Sequence, residues 1–188
     1  MLNFGADFEA RRRRAGLRIP NVQEYSWTAK MRPAREQMDS GLISEEVRAQ
    51  IGRKRVRTHH VTEHEIVRFG QATGNAVSRV DGVLQAPLLF SQALAYESVP
   101  IDQLPPDGSP REPHVPIPAD RTVGGSSEYE IHRRIRAGDV ITIETTLKDV
   151  YSKHGRSGVL YFVVVETRFS DAAGEPVAYE LATFIKKA

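Results

Sequence analysis

Six histidines carry all the imidazole chemistry available to this chain, and there is no cysteine to share the work. The missing thiols exclude disulfide scaffolds, thiolate zinc sites, iron–sulfur clusters and cysteine nucleophiles together. His59, His60 and His64 stand close enough to raise a metal site. Thr62 starts a helix between the last two, however, so they do not share a helical face. No acidic third ligand stands at a clear spacing, and no metal is expected. His114 lies in a proline-rich stretch, as either a visitor to an active site or an ordinary exposed loop residue. His132 alternates with Ile131 and reads as a half-buried strand residue. The densest charge run, Arg11–Arg14, raises nucleic acid as a partner. That role needs a positive face held over several phosphates, with aromatics to stack on bases. Residues 1–60 hold 13 Lys and Arg against 7 Asp and Glu, but residues 61–188 hold 13 against 17. With the larger part acidic, the run reads as solvated charge or as a clamp onto a partner subunit, and no nucleic acid is expected.

The elements that must position these groups can be read along the chain. A length of 188 residues with 40% apolar and 27% charged side chains suits one domain with trimmings. No apolar run approaches the ~20 residues of a membrane span, and the first ten residues carry Asp7 and Glu9 in place of a basic, then apolar, leader. The expectation is a soluble, cytoplasmic protein. Residues 1–42 lack periodicity and contain Pro20 and Pro33, so they form an arm. Phe4, Phe8, Leu17, Ile19, Tyr25, Trp27 and Met31 are too many apolar side chains for a free tail, so the arm should pack on this domain or a neighbour. Ser44-Glu45-Glu46-Val47 is a capped helix start, with Ile43 placed to staple it, and that helix ends near Gly52. A basic extended stretch, Lys54–Val61, follows. Thr62 and Glu65 then form a capping box for a helix that carries Ile66, Phe69 and Thr73 and stops at Gly74-Asn75.

Ala86–Tyr96 is apolar on nearly every side, with Pro87 suited to a first turn, and predicts a helix enclosed by protein. Residues 100–118 hold seven of the eleven prolines and predict a long stiff loop of the lid or flap kind. Beyond it, Ser127–Ile135, Val140–Tyr151, Val159–Phe169 and Val177–Ile185 read as strands separated by turn chemistry. Four strands with short turns predict an antiparallel meander, with the unbroken Val159–Val165 run at its centre. The sum is an α+β domain over 43–188, a long buried central helix wrapped by a curved antiparallel sheet, with an N-terminal arm.

Three stretches then carry a resemblance: Gly124-Gly125-Ser126-Ser127-Glu128-Tyr129-Glu130, Arg136-Ala137-Gly138-Asp139-Val140-Ile141-Thr142, and Leu147-Lys148-Asp149-Val150-Tyr151-Ser152-Lys153-His154-Gly155-Arg156-Ser157-Gly158. The ending from Phe162 through Gly174-Glu175-Pro176-Val177-Ala178 and the front end from Val61-Thr62 to Ala72-Thr73-Gly74 fit as well. Over roughly Glu45–Lys187 the chain resembles the MaoC-like dehydratase family, and more narrowly the degenerate, N-terminal-type hot-dog domain of (R)-specific enoyl-CoA hydratases and 3-hydroxyacyl dehydratases. The resemblance implies a hot-dog fold that works as a homodimer, or as a heterodimer with a catalytic hot-dog chain. The substrate would be an acyl thioester of coenzyme A or acyl carrier protein, with no cofactor. The reaction would be reversible hydration of a trans-2-enoyl thioester to the (R)-3-hydroxyacyl form.

Catalytic members place an Asp, an Asn-Pro and a His between the capped helix and the core helix. Here that segment reads Gly74-Asn75-Ala76-Val77-Ser78-Arg79-Val80-Asp81-Gly82, with Asn75 where the Asp would stand and no His between His64 and His114. Asn75 has no carboxylate with which to take up a proton. Either the chain is the acyl-binding half of a pair whose partner supplies Asp and His, or Asp81 serves as the base with His114 or His132. A self-sufficient hydratase or thioesterase of the second kind, and a non-enzymatic acyl-binding or assembly protein, are the rival functions. The resemblance also lays Gly124-Gly125 against the thioester, where the residues alone read as a tight turn. Substrate contacts are assigned to Arg79, His114, Lys153 and Arg156, the last two, with Arg133-Arg134, against coenzyme A phosphates or else as solvated turn charges. Phe90 and Tyr96 read as core in preference to acyl contacts.

Overall fold

Runs of β-branched and aromatic residues, broken by Gly-Asp and Asp-Ala-Ala-Gly turns, fold into the antiparallel sheet that dominates the molecule. A computed structural model describes residues 42–104, 115–117, 119, 121–156 and 158–187, all inside the compact unit Asp39–Ala188. The expectations for the arm over 1–41, for His114 and for most of the proline-rich loop lie outside the described residues. In chain order the elements are α1 (Glu45–Arg48), β1 (Lys54–His60), α2 (Glu63–Thr73), β2 (Ser78–Val80), β3 (Val83–Gln85), α3 (Phe90–Ala95), β4 (Arg121–Ile131), β5 (Val140–Gly155), β6 (Gly158–Ser170) and β7 (Pro176–Lys187). A short 3₁₀ turn at Ile101–Gln103 follows α3, and β2 and β3 form a separate hairpin.

The five-stranded sheet runs β1-β5-β6-β7-β4, every neighbour antiparallel. This corrects the expected meander: β5, β6 and β7 are consecutive, but β4 pairs with β7 at the far edge. The reason lies in residues 132–139, which leave the β7 edge and cross to β5 by way of the core helix approach. The Ala86 amide donates to Ile135 O, Arg136 bridges Gln85, and the Gly138 amide donates to Val61 O. The strand itself starts at Arg121, ahead of the expected Ser127, so Gly124-Gly125 lies inside β4 at a register shift. A Cβ on Gly125 would meet Thr183 O at 2.9 Å, and the glycine is what lets the two strands approach there. The basic stretch that looked merely extended is the other edge strand, β1.

The unbroken apolar run occupies β6, the middle strand. Val163 through Thr167 are buried consecutively, as covering of both faces requires. One face carries two apolar clusters. The first gathers Ile66, Phe90, Leu94, Ile141, Ile143, Phe169 and Ala178 under α2 and α3. The second gathers Ile43, Val47, Val115, Ile117, Leu147, Val150, Val163 and Val165 under α1 and the described end of the proline-rich loop. Between them a polar row crosses the sheet at one register level: Thr145 opposite Thr167, Thr167 opposite Glu180, Glu180 opposite Tyr129. Glu180 and Thr167 are fully buried; the Tyr129 hydroxyl donates to Glu180 Oε1 at 2.8 Å, while the Thr167 hydroxyl has no hydrogen-bond partner among the described residues.

The core helix is shorter than expected. α3 covers only Phe90–Ala95; Phe90, Ser91, Leu94 and Ala95 are buried, whereas Leu88, Leu89 and Tyr96 are 54%, 44% and 39% exposed. Two causes limit it. Pro87 closes a tight turn onto the Phe90 amide, and no side chain caps the start. At the other end Tyr96 turns extended, and Arg57 Nη2 donates to the carbonyls of Leu94 and Tyr96, engaging backbone groups a longer helix would have used.

Candidate active site

The Thr62–Glu65 box fixes where α2 begins. The Thr62 hydroxyl accepts from the Glu65 amide at 3.2 Å, and Glu65 Oε2 accepts from the Thr62 amide at 2.8 Å. With the start fixed, the 3.6-residue period puts Ile66 and Gly70 inward. It puts Glu65, Arg68, Phe69 and Ala72 along a second face that looks onto a cavity of about 640 Å³. Alternation along β1 brings Arg57 and His59 to the same cavity, and α3 with its exit supplies Phe90, Ala93, Leu94, Tyr96 and Glu97. The space has an apolar floor of Phe69, Ala72, Phe90, Ala93 and Leu94 and a polar wall of Arg57, His59, Glu65 and Arg68. Phe69 and Phe90 meet edge to face at 5.4 Å between centroids, which stiffens the floor.

On the wall, His59 Nε2 lies 2.8 Å from Glu65 Oε1. Burial pushes the Glu65 carboxyl up, but the hydroxyl and amide of Thr62 and the charge of His59 outweigh it and hold the group below its ordinary value. Glu65 is therefore a carboxylate at neutral pH. A carboxylate only accepts, so Nε2 carries the hydrogen, and Nδ1 is the nitrogen that holds the lone pair whenever the ring is neutral. Arg57 is tied to the carbonyls at the end of α3, and burial lowers its pKa, with Glu97 opposing and Arg55 adding to the fall. His59 and Glu65 thus form a hydrogen-bonded imidazole–carboxylate couple set against an apolar floor.

The segment between α2 and α3 has a different character. Gly74 ends α2 in a left-handed conformation, and the Asn75 amide group donates to Thr73 Oγ1 at 2.9 Å in an exposed position. Asp81 (φ 53°) and Gly82 (φ 79°) form the two-residue turn of the β2–β3 hairpin. Arg79 forks onto Glu63 with two contacts of 2.8 Å and donates to Gly82 O, clasping the hairpin to α2.

The model of the FAS1-like dehydratase domain region matches residues 40–180. The chain belongs to that family. As a MaoC-like hot-dog dehydratase domain it is similar in fold to two solved complexes from Mycobacterium tuberculosis. The ChsH1–ChsH2 complex matches with a TM-score of 0.55 and 17% identity over 78% of this chain and 94% of that one. The HadBC (3R-hydroxyacyl-ACP dehydratase) complex matches with a TM-score of 0.53 and 20% identity over 72% and 96%. No curated protein matches the sequence.

Within this dehydratase domain the remaining candidate residues lie apart. Gly124 and Gly125 sit on edge strand β4. Lys153 stands over the stacked rings of Tyr151 and Phe162, 5.7 Å and 5.5 Å from their centroids, and Arg156 is exposed in the β5–β6 turn. Arg133 is spent on Asp139 at 2.6 Å and Asp171 at 3.3 Å, and Arg134 donates to Ala86 O. His60 and His64 are exposed, and no three His, Asp or Glu side chains gather as a metal would require among the described residues. Sequence reasoning weighed His59 only as a metal ligand and Glu65 only as a cap. The signal that joins them is the alternation of Arg57 and His59 on β1 combined with the i, i+3, i+4, i+7 face starting at Glu65.

Proposed function

We propose that the chain is the acyl-thioester-binding subunit of a heteromeric enoyl-thioester hydratase, interconverting trans-2-enoyl and (R)-3-hydroxyacyl thioesters, with the Asp/His pair supplied by a partner hot-dog chain. The observation that carries this reading is the α2–α3 segment. Asn75 is folded back on Thr73, Asp81 is a hairpin turn residue, and no histidine lies between them. The chemistry explains why this matters. As water adds to the β-carbon the thioester carbonyl takes on enolate charge, so the reaction needs oriented N–H donors and a base within reach of the water. It uses no cofactor. The apolar floor of the cavity suits the acyl chain of a coenzyme A or carrier-protein thioester. The two complexes similar in fold are each built from paired chains, and HadBC is named as a 3R-hydroxyacyl-ACP dehydratase. A partner also has a surface to cover: Val80, Val83, Leu88 and Leu89 leave large apolar side chains exposed within ten residues of chain.

Formation of 3-hydroxybutyryl-CoA from crotonyl-CoA, read by chromatography, tests the reading. The chain alone should be silent and should become active with a hot-dog partner that carries Asp and His. Asp81→Gly, which keeps the left-handed turn and removes the carboxylate, should leave the assembled activity unchanged. Hydration by the chain alone that disappears in Asp81→Gly would establish the self-sufficient enzyme instead. Retained acyl-CoA binding with no hydration in the presence of any such partner would leave a non-enzymatic binding protein.

A further inference from the structure

The His59–Glu65 couple faces a cavity that none of residues 74–82, where hydration chemistry is expected, lines, and nothing in the hydratase reading uses it. Its parts suit a different step on the same substrate. Hydration needs a base over the β-carbon and donors on the carbonyl at once. Hydrolysis of the thioester bond needs one base to activate water and one cation near the carbonyl oxygen. The wall offers both: Nδ1 of His59 has no described partner, Glu65 holds the opposite nitrogen at 2.8 Å, and Arg68 stands one helical turn along from Glu65 with no described ion pair. His59 is 29% exposed, so water reaches it.

We propose that this cavity is a hydrolytic site for acyl thioesters, with His59 as general base, Glu65 as its positioning residue and Arg68 as the cation facing the carbonyl oxygen. This rests on the reading that the chain binds acyl thioesters. Water's oxygen bonds to the carbonyl carbon while Nδ1 takes its proton. The C–S bond then breaks, and the imidazolium returns the proton to the departing thiolate, giving one carboxylic acid and one thiol per water consumed. The Glu65 carboxylate offsets the charge the ring gains in between.

The full chain without any partner provides the test, with butyryl-CoA as probe, because a saturated acyl group cannot be hydrated. The chain has no cysteine, so a thiol-reactive dye reads only released coenzyme A. Thiol release above the buffer rate is expected. His59→Gln keeps a donor for Glu65 but cannot accept a proton, and should lower the rate about a hundredfold. It should still bind the non-hydrolysable thioether S-butyl-CoA. Added imidazole should restore part of the rate in His59→Ala. Binding of the thioether without thiol release, or equal rates in wild type and His59→Gln, would overturn the hydrolytic assignment alone. Failure to bind the thioether at all would overturn the acyl-binding reading beneath it.

Discussion

Glu65 is one carboxylate serving two masters: Oε2 closes the cap of α2, and Oε1 holds His59. Its value is held below the ordinary 4.5, so its contribution to stability is present above that pH and is lost as pH falls through the lower folded value. Thr62→Ala removes one side of the cap and should cost about 1 kcal/mol in chemical denaturation. Because it also removes the hydroxyl that depresses the Glu65 value, it should flatten the acid limb of the stability curve below pH 4.5. An acid limb as steep in the variant as in wild type would show that Thr62 is not what holds the carboxylate ionised. Asp81 shows how a residue type misleads when its backbone is unknown. A lone Asp in a segment expected to be catalytic looks like a base, yet Asp-Gly is also the signature of a two-residue turn, and its φ of 53° is that of the turn.

Among the elements, the capped helices and the long strands were legible because their signals are local: the Thr62 box, the Gly74 stop and the β-branched runs each act within a few residues. Three things were not. The pairing of β4 with β7 depends on where residues 132–139 dock, which is a contact between distant segments. The length of α3 depends on Arg57, thirty-odd residues earlier, taking its terminal carbonyls. The cavity couple depends on β1 lying beside α2, and alternation along seven residues says nothing about the neighbour. The truncated α3 leaves Leu88 outside, and that exposure has a use if a partner covers it. Leu88→Glu should change the stability of the isolated chain by no more than about 0.5 kcal/mol, the usual range for exposed sites. It should abolish co-elution with a catalytic hot-dog partner in gel filtration. Unchanged assembly would place the partner on another surface.

At the scale of the whole molecule, the sheet carries two apolar clusters divided by the row Thr145, Thr167, Glu180 and Tyr129. A buried hydroxyl without a partner costs about 1–3 kcal/mol, and Thr167 is in that position. Thr167→Val keeps the shape and removes the orphaned group, so urea denaturation should show a gain of about 1 kcal/mol. A loss would mean that the hydroxyl is engaged by something beyond the described residues. Composition disclosed that a core of this size exists, but not that it is split. The split appears only when strands far apart in the chain are laid in register, so that single polar residues fall at one level.

The polar row also bears on how such a protein can change over time. The cluster around Phe90 and Leu94, where a ligand's shape would be met, ends at the level of Thr167 and Glu180. The far half, Leu147 with Val163 and Val165, packs with Ile43 and Val47 as a cluster of its own. One end of the sheet is thereby left at liberty to be resculpted for a new guest while the other goes on holding the shape.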